Sequence, residues 1–210
     1  MRLFTLPGIL IGLTVHEFAH ALMAYYLGDD TAKLDGRITL NPLRHIDPLG
    51  FILLITAGFG WAKPVMFNPY KLSKPHRDEI LISIAGPFSN IILAFIIFGT
   101  IKFLELMGMP LGFDTTSLSG IIMNLLLYAG YINIALFVFN LIPIPPLDGS
   151  HVYMTFLKDK NEKLFLNLYR YGMPALFAII MAENYLNINI LHISEMVSWV
   201  LKGITGIFNM

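Results

Sequence analysis

His16-Glu17-Phe18-Ala19-His20 stands in the middle of an apolar run that extends from Leu3 to Leu27. Ile9, Leu10, Ile11, Leu13 and Val15 precede it, and Ala21, Leu22, Met23 and Ala24 follow. At about 1.5 Å per residue, a helix over 3–27 is long enough to cross a hydrocarbon core of roughly 30 Å. Polar side chains inside such a helix are costly: a charge at mid-membrane costs on the order of 2.5–3.5 kcal/mol even on insertion scales. The spacing supplies a compensating role. Residues four apart share one helix face, so His16 and His20 present two imidazoles to one point. Neutral imidazole is a good zinc ligand, and a catalytic zinc usually takes three protein ligands and a water. Glu17, directly after the first histidine, flanks that point and can take a proton from water held there. The plainer alternative, two packed core histidines beside a chance glutamate, sits poorly in a run this apolar.

The rest of the composition agrees with a membrane setting. Of 210 residues, 56% are hydrophobic and 13% charged, with a mean hydropathy of +0.67. Soluble domains carry about a quarter charged residues. The length favours a single domain over 1–210. A formal net charge of zero gives no reason to expect nucleic acid as a partner. Cysteine is absent, so disulfides, thiolate metal sites and cysteine nucleophiles are excluded, and any metal must be held by His, Asp or Glu. The first apolar run is too long for a removed signal peptide, and cleavage would discard the histidines.

Outward from that run, Gly28 reads as a helix stop. Residues 31–77 form a mixed region: Arg37–Leu40 and Val65–Phe67 read as short strands, and Phe51–Phe59 as a re-entrant or interfacial segment too short to span. A second helix is expected over 79–104, kinked at Gly86-Pro87, with Asn90 placed to hydrogen-bond a neighbouring helix. A polar turn over 108–116 leads to a third helix, and 118–149 reads as a broken helix ending in Leu147-Asp148-Gly149. Pro143, Pro145 and Pro146 force extended backbone there, which at such a depth needs a cavity or protein around it. Asp148 is thereby a candidate site residue. Two C-terminal helices are expected within 164–208, the last spanning or lying at the interface, with spanning favoured. The fold class is an all-α polytopic membrane protein of about five transmembrane helices, with a small membrane-embedded re-entrant and strand region after the first.

Lys33, Arg37, Arg44, Lys63, Lys71, Lys74 and Arg77 lie between the first two helices, and Lys158, Lys160 and Lys163 between the third and fourth. The positive-inside rule places these loops in the cytoplasm and the N-terminus outside. His16, His20 and Asp148 then fall on the cytoplasmic side of a multi-pass protein of the cell membrane.

His16-Glu17-Phe18-Ala19-His20, Ala85-Gly86-Pro87-Phe88-Ser89-Asn90 and Asn140-Leu141-Ile142-Pro143 through Leu147-Asp148-Gly149 together resemble the site-2 protease family of intramembrane zinc metalloproteases. The resemblance covers about the first three-quarters of the chain, in a compact form without PDZ or CBS modules. It implies one zinc (Zn2+) per chain held by His16, His20 and Asp148, with Glu17 as the base and Asn140 close to the site. The expected activity is metal-assisted hydrolysis of a transmembrane protein substrate, in or near its membrane-spanning segment. Two other readings stay open. A non-proteolytic zinc scaffold would have no need of Glu17, and an ion transporter would be expected to show an internal repeat that is absent.

Overall fold

The first helix, α1 (Arg2–Tyr26), owes its placement to a stripe of every fourth residue. Gly8, Gly12, His16, His20 and Ala24 are all buried, so one face carries small residues at one end and the two histidines at the other. The glycines let α5 (Leu118–Asn140) approach closely, since a methyl on Gly8 would lie 2.7 Å from the Ala129 Cα. Small residues are how helices gain packing in a membrane, where lipid removes the hydrophobic incentive to associate. The expected stop is present: Gly28 has φ 105°, and the Asp29 N–H closes back on the Ala24 carbonyl at 2.9 Å.

The structure, a computed structural model, describes residues 2–57, 60–109, 114–186 and 188–210. Against α1 and α5 packs α4 (Pro75–Leu106), and these three helices form the centre of the molecule. Ala94, Ile97, Phe98 and Ile101 of α4 meet Met123, Ile134 and Val138 of α5 in the main apolar core. Helix α4 starts with Pro75 in its first turn, and the Asp78 carboxylate accepts the Lys74 N–H at 2.8 Å. It then runs through Pro87 as one helix.

After the third long helix, the chain turns through Pro143–Leu147 to a 3-10 turn at Asp148–Ser150, then α6 (His151–Lys160) and α7 (Glu162–Leu186). Helix α6 was not expected from the sequence. Its residues form no apolar run, so the sequence reads as a loop there. Four helices meet the length and hydropathy of a membrane span: Phe4–Tyr26, Pro75–Leu106, Leu118–Asn140 and Glu162–Glu183. The last segment, for which spanning is favoured, is shorter than these. Helix α8 (Ile193–Ile207) has 15 residues, about 22 Å at helical rise, and it buries Val197 and Ile204 against α4 and α5.

The region between α1 and α4 also departs from expectation. Neither Arg37–Leu40 nor Val65–Phe67 forms a strand. Among the described residues the only pairing of β type is a single antiparallel bridge between Ile46 and Ala62. The apolar segment is the short helix α3 (Pro48–Ala57), while Gly58 and Phe59 lie outside the described residues, as do residues 110–113 of the expected polar turn. A four-residue helix, α2 (Thr31–Leu34), begins the region. The strands fail because the chain is pinned by side chains rather than by a neighbouring strand. The fully buried Asp29 carboxylate accepts the Thr31 N–H at 3.0 Å and the Asn68 N–H at 2.5 Å, folding the far end of the connection back onto the end of α1.

Candidate metal centre

His16, Glu17 and His20 are all more than nine-tenths buried, the two imidazoles one helical turn apart on the face of α1 that meets α4. The turn after α5 brings Asp148 to them. The Nε2 atoms of His16 and His20 are 3.0 Å apart, and Asp148 Oδ2 lies 3.0 Å from the first and 3.4 Å from the second. Among the described residues this is the one group of three such side chains whose donor atoms converge.

The protonation pattern follows from the other ring nitrogens. His16 Nδ1 lies 2.7 Å from Asn90 Oδ1, and His20 Nδ1 lies 2.7 Å from the Ile82 carbonyl. The Asn90 amide is oriented by its own partners, because Nδ2 donates to the Gly12 carbonyl at 3.0 Å and to Asn133 Oδ1 at 2.9 Å. Asn133 Nδ2 in turn donates to the Ala129 carbonyl. Each Nδ1 therefore donates its proton to an oxygen, which assigns both Nε2 atoms as lone-pair acceptors. Two such lone pairs and a carboxylate oxygen face one another, and the buried Asp148 Oδ2 has no aligned hydrogen bond. A cation answers this cluster. The donor set of two imidazoles and one carboxylate suits zinc, and tetrahedral bonds of 2.0–2.1 Å put ligand atoms about 3.3 Å apart, close to the spacings here.

Close packing holds the rings in place. A methyl on Gly86 would lie 2.3 Å from His20 Nε2 and 2.7 Å from His16 Cε1, so the α4 backbone backs directly onto both imidazoles. On the other side, Glu17 Oε2 accepts the Val65 N–H at 3.1 Å, and the buried Arg37 guanidinium approaches the same oxygen at 4.0 Å. Burial lowers the Arg37 pKa from its ordinary value, and the Glu17 and Asp35 charges oppose that shift. Burial lowers the pKa of His151, three residues after Asp148, from its ordinary value, and the Asp148 and Glu79 charges oppose that shift. An apolar cavity of about 380 Å³ lies beside α1, with Leu10, Leu13, Trp61, Leu136 and Phe139 among its walls.

Of the residues singled out in the sequence, His16, Glu17, His20, Asp148 and Asn90 come together. Asn140 does not join their hydrogen bonds: its Nδ2 donates to the Leu136 carbonyl of its own helix at 3.0 Å. Sequence reasoning missed the parts played by Gly86, Asn133, Arg37, His151 and the Val65 N–H. Asn133 carried a usable signal, since an asparagine in an apolar helix needs a partner. The sequence places Arg37 in an expected strand and among the loop charges, with no part in the site.

The model of Peptidase family M50 matches residues 4–183. A Bacillus subtilis protein named putative zinc metalloprotease YwhC is 46% identical over 146 residues, covering 69% of this chain and 64% of that protein. A Mycolicibacterium smegmatis protein named putative zinc metalloprotease Rip2 is 28% identical over 176 residues, covering 81% of this chain and 63% of its own length. A Methanocaldococcus jannaschii protein named putative zinc metalloprotease MJ0611 is 29% identical over 144 residues, or 67% of this chain and 64% of that one. The chain thus spans just under two thirds of the length of these relatives. No solved structure matches. With a family match over most of its length and four apolar helices, this multi-pass membrane protein belongs to Peptidase family M50, the site-2 protease family.

Proposed function

We propose that the chain is an intramembrane zinc metalloendopeptidase that cleaves transmembrane protein substrates. The observation that carries this reading is the convergence of His16, His20 and Asp148 with Glu17 on the adjacent position of α1. His16, His20 and Asp148 are the zinc ligands in this reading, and Glu17 is the general base. Zinc bound there supplies Lewis acidity towards a carbonyl and towards water. Glu17 takes a proton from the attacking water and returns it to the departing amide nitrogen. Asn90 and the Ile82 carbonyl fix the imidazole tautomers, as partners of metal-binding histidines commonly do.

A helical substrate hides its carbonyls in hydrogen bonds and must unwind locally before attack. The exposed chain around Met66, next to the Val65 N–H that Glu17 accepts, offers backbone groups for the unwound segment. Basic residues of the two large loops support an orientation with the N-terminus outside and the centre towards the cytoplasm. A single cysteine at Ser73 is then labelled from the cytoplasmic side only.

The function is tested with detergent-purified protein reconstituted into liposomes with a single-span helical reporter. The expected result is about one zinc per chain, cleavage abolished by a chelator, and recovery on adding zinc. Full zinc with no cleavage of any helical reporter would favour the scaffold, and absence of bound zinc would end both readings.

A further inference from the structure

Arg37 is 5% exposed, and a guanidinium stays protonated even where burial opposes it. A buried charge of this kind needs an opposite charge or several acceptors. Its surroundings supply two groups, a backbone carbonyl of the connection and the Glu17 carboxylate of α1. Its Nη2 donates a short hydrogen bond to the Lys63 carbonyl and faces Glu17 Oε2 at 4.0 Å, while Nε has no partner. Asp35, the other carboxylate acting on it, is exposed and screened by solvent.

The two contacts are related through the backbone. In extended chain, alternate residues direct their N–H and C=O groups to the same edge. Lys63 and Val65 are such a pair. The Lys63 N–H donates to the His45 carbonyl at 2.8 Å, the Lys63 carbonyl accepts from Arg37, and the Val65 N–H donates to Glu17. One edge of this segment is thus held by Glu17 and Arg37 together.

We propose that Arg37 is a positioning residue for Glu17, setting its carboxylate against the extended segment 63–65 through the Lys63 carbonyl and its own charge. The proposal rests on the reading of Glu17 as the base and adds a residue that acts only through it. A guanidinium does both tasks because its planar fork has several donors; an uncharged side chain keeps neither the countercharge nor the full set of bonds.

The test is a double-mutant cycle on the full chain in liposomes, with zinc content measured on every preparation. Arg37→Gln is expected to keep its zinc and to lower kcat by about 10–100-fold, the range found for groups that orient a metal site from behind. In a Glu17→Gln background the same change should alter the residual rate less than about twofold, because the residue it serves is already gone. If Arg37→Gln loses zinc, Arg37→Lys, which keeps the charge without the fork, takes its place in the cycle. An equal fall in both backgrounds, or wild-type turnover in Arg37→Gln, would overturn the positioning role and leave the protease reading intact. Wild-type turnover in Glu17→Gln alone would overturn the base assignment and this proposal with it.

Discussion

The two sides of the candidate centre are built differently. On one side, His16 and His20 rest on helices: the α4 backbone at Gly86 lies against both rings, and a buried amide chain runs from His16 through Asn90 and Asn133 to Ala129. On the other, Glu17 is held by irregular chain, through the Val65 N–H and the neighbouring Arg37. Metal holding needs ligands that do not move, and for the two histidines the packing of α1 against α4 and α5 supplies this. In the proposed function a base at Glu17 must work beside an entering substrate, and a segment without a ladder of backbone bonds has fewer interactions to give up. Substitutions on the helical side should therefore act on the metal, and those on the connection side on turnover.

The largest effect is expected at Asp148, whose replacement by Ala removes one of three donors. Zinc affinity should fall by more than about 100-fold, beyond what outer hydrogen-bond partners command. Elemental analysis after dialysis reads it, and full occupancy would take aspartate out of the ligand set.

Gly86→Ala comes next and sharpens the contrast, because its methyl would meet ring atoms at 2.3–2.7 Å and one of the imidazoles must shift. Zinc affinity should fall by roughly 10–100-fold, the range seen when the support of a metal ligand is disturbed. Gly203→Ala is the control. It lies in α8 with open space around it, and an alanine in a helix there should be neutral or add up to about 1 kcal/mol of stability. Loss of metal in both variants would point to helix disturbance instead of contact with the rings.

A smaller effect is expected from Asn90→Leu, which preserves bulk but removes the acceptor for His16 Nδ1 and the donor to Asn133. Zinc affinity should drop by about tenfold, the lower end for such partners. A competition titration with a zinc chelator measures it. No change in affinity would mean that packing alone orients His16.

These differences also explain what could be read from the sequence. The histidine pair was legible because helical periodicity converts a spacing of four into one face. Asp148 was reached through prolines that cannot continue a helix. Arg37 and the Val65 N–H were not legible: a basic residue in a connection reads as solvated, and irregular backbone carries no periodicity. Gly86 stood within a motif that was noticed, but its use is a packing distance, which no spacing reveals. The packing of the last helix was not legible either, because an apolar repeat at helical spacing is the same for a helix that spans and for one that docks on α4 and α5.

The account turns on a separation between holding metal and using it, and Glu17→Gln tests that separation most directly. Glutamine matches glutamate in size and still hydrogen-bonds water, but its amide accepts no proton near neutral pH. Zinc content and cleavage of the helical reporter are measured on the same liposome preparations. The account predicts about one zinc per chain, as in the wild type, with cleavage slowed at least about 10²-fold. Wild-type cleavage by a fully zinc-loaded Glu17→Gln chain would contradict it.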